Sequence, residues 1–345
     1  MKNLSWFNKL MYFLNMVLTV LTFLAYVLPF LAPKLFPLLS VFTLILPLLL
    51  VLNFIFFMYW LLQTKRQMLL SGLVLLLGIT FVSKLYRFSS DKEEVTPDDF
   101  VVMSYNVRMF NLYEWIDDTL VPQKIDNFVK ERKPDVVCLQ EYNKRGDDLF
   151  KQFEYRYIYK EKGKSQHAFF SKFPILDTGS LTFPNTGNSV IYADVVKDKD
   201  TLRFYSMHLQ SVKISPDIHE KIDEEKSKII FRRLSGAFKE QQLQAEILQQ
   251  HKKDCHYPMI ICGDLNNSAF SYVYRSIRGD LKDSFEEAGS GFGKSYNYKY
   301  YPARIDYIFA DNRLHVKEFK TYDMFVNSDH YPIISRLAFV KEGEE

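Results

Sequence analysis

Cysteine is scarce in this sequence. Its 345 residues hold three, Cys138, Cys255 and Cys262, with no CxxC pair, so neither a disulfide framework nor a thiolate zinc site is expected. Two of them lie in apolar runs, where free cysteine behaves as a small buried hydrophobe. The compartment stays open, because exported proteins need not contain disulfides. An excess of one charge is also missing: 44 Lys and Arg against 41 Asp and Glu give a net charge of +3. No Lys/Arg run interleaved with aromatics marks a nucleic-acid groove. Internal repeats and low-complexity tracts are absent as well.

What is present is unevenly spread. Before about Ser83, Leu, Phe, Val, Ile and Met dominate; after it, charges run through an ordinary globular composition. Leu10–Leu31 is apolar apart from Asn15, Thr19 and Thr22, and about 20 such residues cross a hydrocarbon core. Leu35–Leu62 carries no charge and ends in Tyr59, Trp60, Lys65 and Arg66, an interfacial pattern. Met68–Val82 is shorter and is expected to be a third span, with an interfacial segment as the alternative. A cleaved signal peptide does not suit the first run, which is too long and lacks a small-residue cleavage site. The expected layout is an all-α transmembrane region over residues 1–87, a linker over 88–99 and a catalytic domain over 100–345. Lys2, Lys9, Lys65 and Arg66 on the N-terminal side against Lys34, Lys84 and Arg87 favour a cytoplasmic N-terminus. Three spans then put the domain outside the cytoplasm, with the lipid bilayer as its partner; no protein partner is indicated.

Beyond the linker, short β-rich runs recur at Phe100–Tyr105, Val136–Leu139, His167–Ser171, Val190–Val195, Leu202–His208, Pro258–Cys262, Ile305–Phe309 and Ile333–Phe339. Helical spacing appears in Pro122–Glu131 and from about Glu220 to His251, where Leu234, Phe238, Ala245 and Leu248 share a face. Such alternation suits one α/β domain with two packed sheets. The charged run Pro216–Arg233 has mixed signs and reads first as a solvated helix face or insertion, with a lid as the minor alternative.

Polar residues close several of these strands. Asn106 follows Val101–Tyr105, Glu141 follows Val136–Gln140, His208 closes Phe204–Met207, and Asp264 and Asn266 end Met259–Gly263. Asp306 follows Arg304–Ile305, and Asp329 and His330 precede the last strand. A single Asp or Asn after a strand is usually a turn or cap. Five strand ends and a loop repeating the layout make that explanation insufficient.

The motifs SYNVR, LQEYN, AFFSKFPIL, YSMHLQS, GDLNN, RIDYIF and SDHYPI, in this order, resemble the endonuclease/exonuclease/phosphatase superfamily of deoxyribonuclease I-like, metal-dependent phosphoesterases. The resemblance covers nearly all of the soluble part and implies a four-layer α/β/β/α sandwich. It also implies roles. Glu141 would be the main ligand of Mg²⁺ or Mn²⁺, helped by Asn106, with Asp329 adding affinity. Asp264 would position or deprotonate the attacking water and Asn266 would donate to the phosphate. His330, paired with Asp306, would face the phosphate, and His208 would act as general acid. Arg304 is either a phosphate contact or an ion pair, while Tyr307, Tyr142 and His167 are expected to pack or support. The expected function is a membrane-anchored hydrolase of phosphodiester bonds. Alternatives are a nuclease acting on DNA or RNA, a phospholipid or lipid-headgroup phosphodiesterase or phosphatase and, least favoured because no expected position is substituted, a non-catalytic scaffold.

Overall fold

The computed structural model describes residues 4–88, 93–160, 165–184, 186–212, 224–299 and 301–340. Parts of the expected linker, of the 216–233 insertion and of the helix starting at about Glu220 lie outside these residues.

The amino-terminal third is helical: α1 (Trp6–Val27), α2 (Pro37–Val41), α3 (Leu46–Leu62), α4 (Met68–Leu77) and α5 (Ile79–Leu85). Trp6–Phe30 and Pro37–Leu62 are each long and apolar enough to cross a membrane, whereas α4 and α5 form a pair bent by 75°. The bend falls at Gly78, where a Cβ would lie 1.9 Å from the Tyr26 hydroxyl; that hydroxyl donates to the Val74 carbonyl at 2.9 Å. Two of the polar interruptions noted in the sequence, Asn15 and Thr22, find polar partners on other helices. Asn15 donates to Ser71 at 2.9 Å and Asn53 donates to Thr22 at 2.8 Å, all four side chains being buried. Among apolar helices such pairs give the packing a fixed register.

The remainder comprises β1 (Phe100–Asn106), a short turn α6 (Arg108–Asn111), α7 (Val121–Arg132), β2 (Val136–Tyr142), β3 (Tyr155–Lys160), β4 (Gln166–Ser171), β5 (Ile175–Thr182), β6 (Ser189–Lys197) and β7 (Asp200–His208). It continues with α8 (Glu224–Lys252), β8 (Met259–Asp264), α9 (Tyr272–Arg278), β9 (Lys282–Asp283), α10 (Ser284–Ala288), β10 (Asp306–Ala310), β11 (Leu314–Thr321) and β12 (Ile333–Phe339). Two six-stranded sheets result, in the orders β11-β12-β1-β2-β4-β3 and β5-β6-β7-β8-β10-β9. Each has one parallel pair at its centre, β1 with β2 and β7 with β8. The four edge strands β3, β5, β9 and β11 are those the periodicity did not mark.

Alternation along the strands explains the layering. Val102, Val136, Cys138 and Phe169 of the first sheet pack against Ile191, Phe204, Ile260 and Ile308 of the second in one apolar core. The opposite face of the first sheet, with Met103, Val137 and Leu139, is covered by Ile125, Phe128 and Val129 of α7. The outer face of the second, with Tyr205, Ile261 and Phe309, is covered by Ala245 and Leu248 of α8 and Val273 and Ile277 of α9. The result is the four-layer α/β/β/α sandwich.

The sandwich sits directly on the helical region. Phe270 is buried with Leu18, Ala25, Leu46, Leu49 and Leu50 and stacks on Phe81. Lys34 pairs with Glu246, and its backbone amide donates to Gln242 at 2.8 Å. Arg87 exchanges backbone hydrogen bonds with Gly291.

Candidate active site

The carboxyl ends of both parallel pairs open on the same cleft, so the strand-closing residues of two sheets meet there. Asn106 Nδ2 donates to Glu141 Oε1 and to Asp264 Oδ2, both at 3.2 Å, bridging the sheets. Asn266 turns back on Asp264: its backbone N donates to Oδ1 at 2.7 Å and its Nδ2 to Oδ2 at 3.0 Å. His208 Nε2 lies 3.7 Å from Glu141 Oε1 and 3.9 Å from Asp264 Oδ2. His330 Nδ1 faces Asp306 Oδ2 at 2.9 Å, and its Nε2 is 3.6 Å from Asp264 Oδ2. Asp264 is thus the hub of the predicted set.

Local backbone devices aim these groups. A β-bulge shifts the β2 register between Leu139 and Tyr142, and Glu141 there has φ 51°; bulges characteristically re-aim a side chain. Asn266 also has φ 51°. Gly263 has φ 129°, and a Cβ on it would stand 2.1 Å from the Met207 carbonyl oxygen, so the glycine of GDLNN lets β7 and β8 close beside His208 and Asp264. Non-glycine residues held at such angles cost about 1–3 kcal/mol each and persist where surrounding contacts enforce them.

Burial sets the electrostatics. Asp264 is 1% exposed, and burial, against the opposing pull of His330, pushes its carboxyl up to about 6. Burial disfavours the charged form of His330, but Asp306 and Asp264 outweigh it and push the imidazole up to about 10. A charged imidazole therefore sits between two carboxylates. One ligand atom from each of Asp264, Asp306 and His330 lies within 4.8 Å of the others, yet a protonated His330 has no lone pair to give a metal. Glu141, partly open to solvent beside Asp264, offers the better hard-oxygen donor. Oxygen-rich, under-neutralised carboxylates of this kind fit a hard divalent cation.

Two predicted residues are placed differently. Arg304 is 7% exposed and does not reach the cleft: its Nη1 donates to buried Asp283 at 2.7 Å, and its guanidinium lies over Phe285 and Tyr307. Of the two readings the sequence allowed, it is the ion pair. Asp329 is turned to Arg108, whose Nε is 3.3 Å from Oδ2. Tyr307 and Tyr142 support from below, the former donating to the Asn267 and Arg304 carbonyls and the latter to Asp147. His167 lies buried near His208.

Other residues escaped the sequence reading. Arg108 to Asn111 all have positive φ, between 43° and 59°, a left-handed turn that carries Arg108 onto the Trp115 ring at 4.1 Å. Asn143 and Arg145 hold it, donating to the carbonyls of Met109, Phe110 and Asn111. Ser295 Oγ accepts the backbone N–H groups of Ile305 and Asp306, each at 3.0 Å, and so fixes the partner of His330. Gln140 bridges the sheets beneath the cleft through Ser104 and Ser206. No spacing rule marks these roles, although Arg108 lies inside SYNVR and Gln140 and Asn143 lie inside LQEYN.

Residues 8–85 match a domain of unknown function. No match was found among the curated proteins. Solved structures share the fold: zebrafish (D. rerio) TDP2 humanised by 14 mutations, at 17% identity and TM-score 0.53, covers 70% of this chain and 99% of its own. A Bacteroides thetaiotaomicron endonuclease/exonuclease/phosphatase family protein, at 20% and 0.52, covers 72% and 100%. The human Nocturnin catalytic domain with a bound sulfate anion, at 18% and 0.52, covers 72% and 97%. With the sandwich, the convergent strand ends and a match to the family itself across residues 103–330, the chain belongs to the endonuclease/exonuclease/phosphatase family and is a hydrolase of phosphoester bonds.

Proposed function

We propose that this chain is a membrane-anchored phosphodiesterase dependent on a divalent cation, Mg²⁺ or Mn²⁺. The observation that carries the reading is the hub at Asp264, a buried carboxylate touched by Asn106, Asn266 and His330 and faced by His208 and Glu141. Asp264 accepts the proton of the attacking water, a task suited to a carboxyl near 6. Charged His330, oriented by Asp306, faces the non-bridging oxygens, where negative charge needs fixed donors; Asn266, whose amide donates to Asp264 and to the Leu209 carbonyl, would join it by exchanging one of those bonds for the phosphate. His208 delivers a proton to the leaving oxygen. Glu141 and Asn106 would hold the cation, which when bound neutralises phosphate charge and lowers the pKa of water.

A lipid-borne phosphodiester is favoured over a nucleic acid by one observation. The segment that follows Asp264 and Asn266 runs straight into the membrane helices, with Phe270 in their packed core. We place the domain on the side opposite the N-terminus. Residues 30–42 and 81–87 both touch it, whereas Asn8 near the start meets Tyr59 and Gln63 at the far end of α3. That arrangement calls for three crossings, and Lys9, Lys65 and Arg66 favour a cytoplasmic N-terminus.

The test uses the full chain in detergent with Mg²⁺ or Mn²⁺, offered plasmid DNA, RNA and phospholipids in parallel with the Glu141→Ala and Asp264→Ala variants. Hydrolysis abolished by EDTA and by either substitution is expected; full turnover in EDTA, or by Asp264→Ala with an unchanged circular dichroism spectrum, defeats the reading. A C-terminal alkaline phosphatase fusion should be active and a green fluorescent protein fusion dark.

A further inference from the structure

Helix α8 is longer than the sheet beneath it needs. Its 29 residues span roughly 43 Å at 1.5 Å per residue, but only its carboxyl half, through Ala245 and Leu248, joins the apolar layer over the second sheet. Before Gly236 the same helix face meets the membrane region instead. Phe231 packs on Phe42 with ring centroids 5.8 Å apart. Leu38 and α8 residues Glu224, Ser227, Lys228, Phe231, Arg232 and Ser235 line a groove of about 500 Å³, in which Lys228 Nζ pairs with Glu224 Oε1 at 2.6 Å.

Two features say what this half-helix faces. Leu38 and Phe42 belong to the first turns of Pro37–Leu62, a helix apolar enough to span, and both are exposed. A helix lying against them sits at the boundary between headgroups and acyl chains. Its composition suits that depth: Lys226, Lys228, Arg232 and Arg233 outnumber Glu224 and Glu225, four to two, and are interleaved with half-buried Ile229, Ile230, Phe231 and Leu234. Basic side chains beside an apolar stripe bind anionic interfaces, the attraction growing with each Lys or Arg near the surface.

We propose that the amino-terminal half of α8 is a lipid-docking element and that the groove between it and α2 holds an anionic phospholipid, with an acyl chain along Leu38 and Phe231 and its phosphate on Arg232 and on Lys228, which it draws from Glu224. This rests on the reading that the amino-terminal helices cross a bilayer. The charged run that the sequence suggested as a solvated face is then, over its described part, a lipid-facing one.

The test uses the full chain in vesicles of phosphatidylglycerol and phosphatidylcholine. Cys255 is replaced by Ser, and an environment-sensitive fluorophore is attached at Ser227→Cys or, as the control inside the span, at Leu48→Cys. Quenching of both labels by brominated lipids is expected, shallow for 227 and deep for 48. A label at 227 quenched by iodide but not by bromolipid, with 48 still quenched by bromolipid, overturns the docking element alone. Iodide reaching 48 as well overturns the membrane reading beneath it. In the second arm, Lys228→Glu/Arg232→Glu should lower the phosphatidylglycerol retained on purification at least threefold, while hydrolysis of a soluble phosphodiester is unchanged. Retention equal to that of the parent chain overturns the groove assignment.

Discussion

Replacing Asp264 by Asn should separate stability from activity. The carboxylate is buried, so ionising it works against the fold, and the size of that effect follows from its titration. Raising a carboxyl from 3.8 to about 6 makes ionised Asp264 a liability of about 3 kcal/mol at neutral pH, with 1.36 kcal/mol per pH unit. The sign is that of a folded-state pKa raised above the unfolded value: the favourable, protonated form is fully present below 3.8, and its contribution is lost as pH rises through about 6. An amide imitates the protonated acid at every pH. Asp264→Asn should therefore melt above the parent at pH 7.5 in EDTA, by up to about 6–12 °C at 2–4 °C per kcal/mol, and the gap should close near pH 4. Hydrolysis should fall at least about 10³-fold, the scale of losing a central catalytic group. Differential scanning fluorimetry of the full chain across this pH range is the assay. A variant that melts below the parent at pH 7.5, or a gap independent of pH, would refute the claim that Asp264 is held charged against the fold.

Asp306→Asn should keep the fold but lower kcat about 10²-fold or more by releasing the orientation and charge of His330; a change in KM alone would contradict this. Arg304→Met should cost about 3–5 kcal/mol in stability, because it leaves Asp283 buried without its partner, while folded protein at low temperature keeps its KM. Loss of substrate affinity instead would return Arg304 to the cleft. Asp99, where burial is outweighed by hydrogen bonds from Lys317, Thr96 and Arg336, is held well below the ordinary carboxylate range. Its stabilising contribution is present above 3.8 and lost as pH falls through its folded-state value, so the melting deficit of Asp99→Asn should be large at pH 7 and shrink towards pH 3. Arg145→Ala should reduce turnover by freeing the left-handed turn that carries Arg108, with proteolysis at residues 108–116 as the readout.

The eight strands expected from apolar runs were the inner ones. Those missed, β3, β5, β9 and β11, form all four sheet edges, where charge and polarity guard exposed backbone against further pairing; DTGSLT in β5 and HVKEFK in β11 show why an apolar criterion passes over them. The convergence of polar groups on one cleft was legible because most of them flank inner strands, and such a strand is a continuous apolar run bounded by one polar residue. Arg304 shows the limit: whether an arginine beside a strand turns to the cleft or to Asp283 depends on a partner 21 residues away, which no spacing rule ties to it. Ser295 and the turn at Arg108–Asn111 were hidden for another reason. Ser295 contributes a hydroxyl to backbone N–H groups 10 and 11 residues away, and the turn contributes backbone geometry, since non-glycine residues at positive φ leave no mark in composition.

The division of the cleft between two sheets has a consequence for the newly made chain. Asn106 and Glu141 belong to one sheet and His208, Asp264 and Asp306 to the other, while His330 arrives just before β12, the final strand, which inserts between β1 and β11. Neither sheet alone carries the whole set. On the roles proposed for these residues, a polypeptide truncated before residue 330 would be catalytically silent, because it would lack both His330 and the strand that fills the gap between β1 and β11.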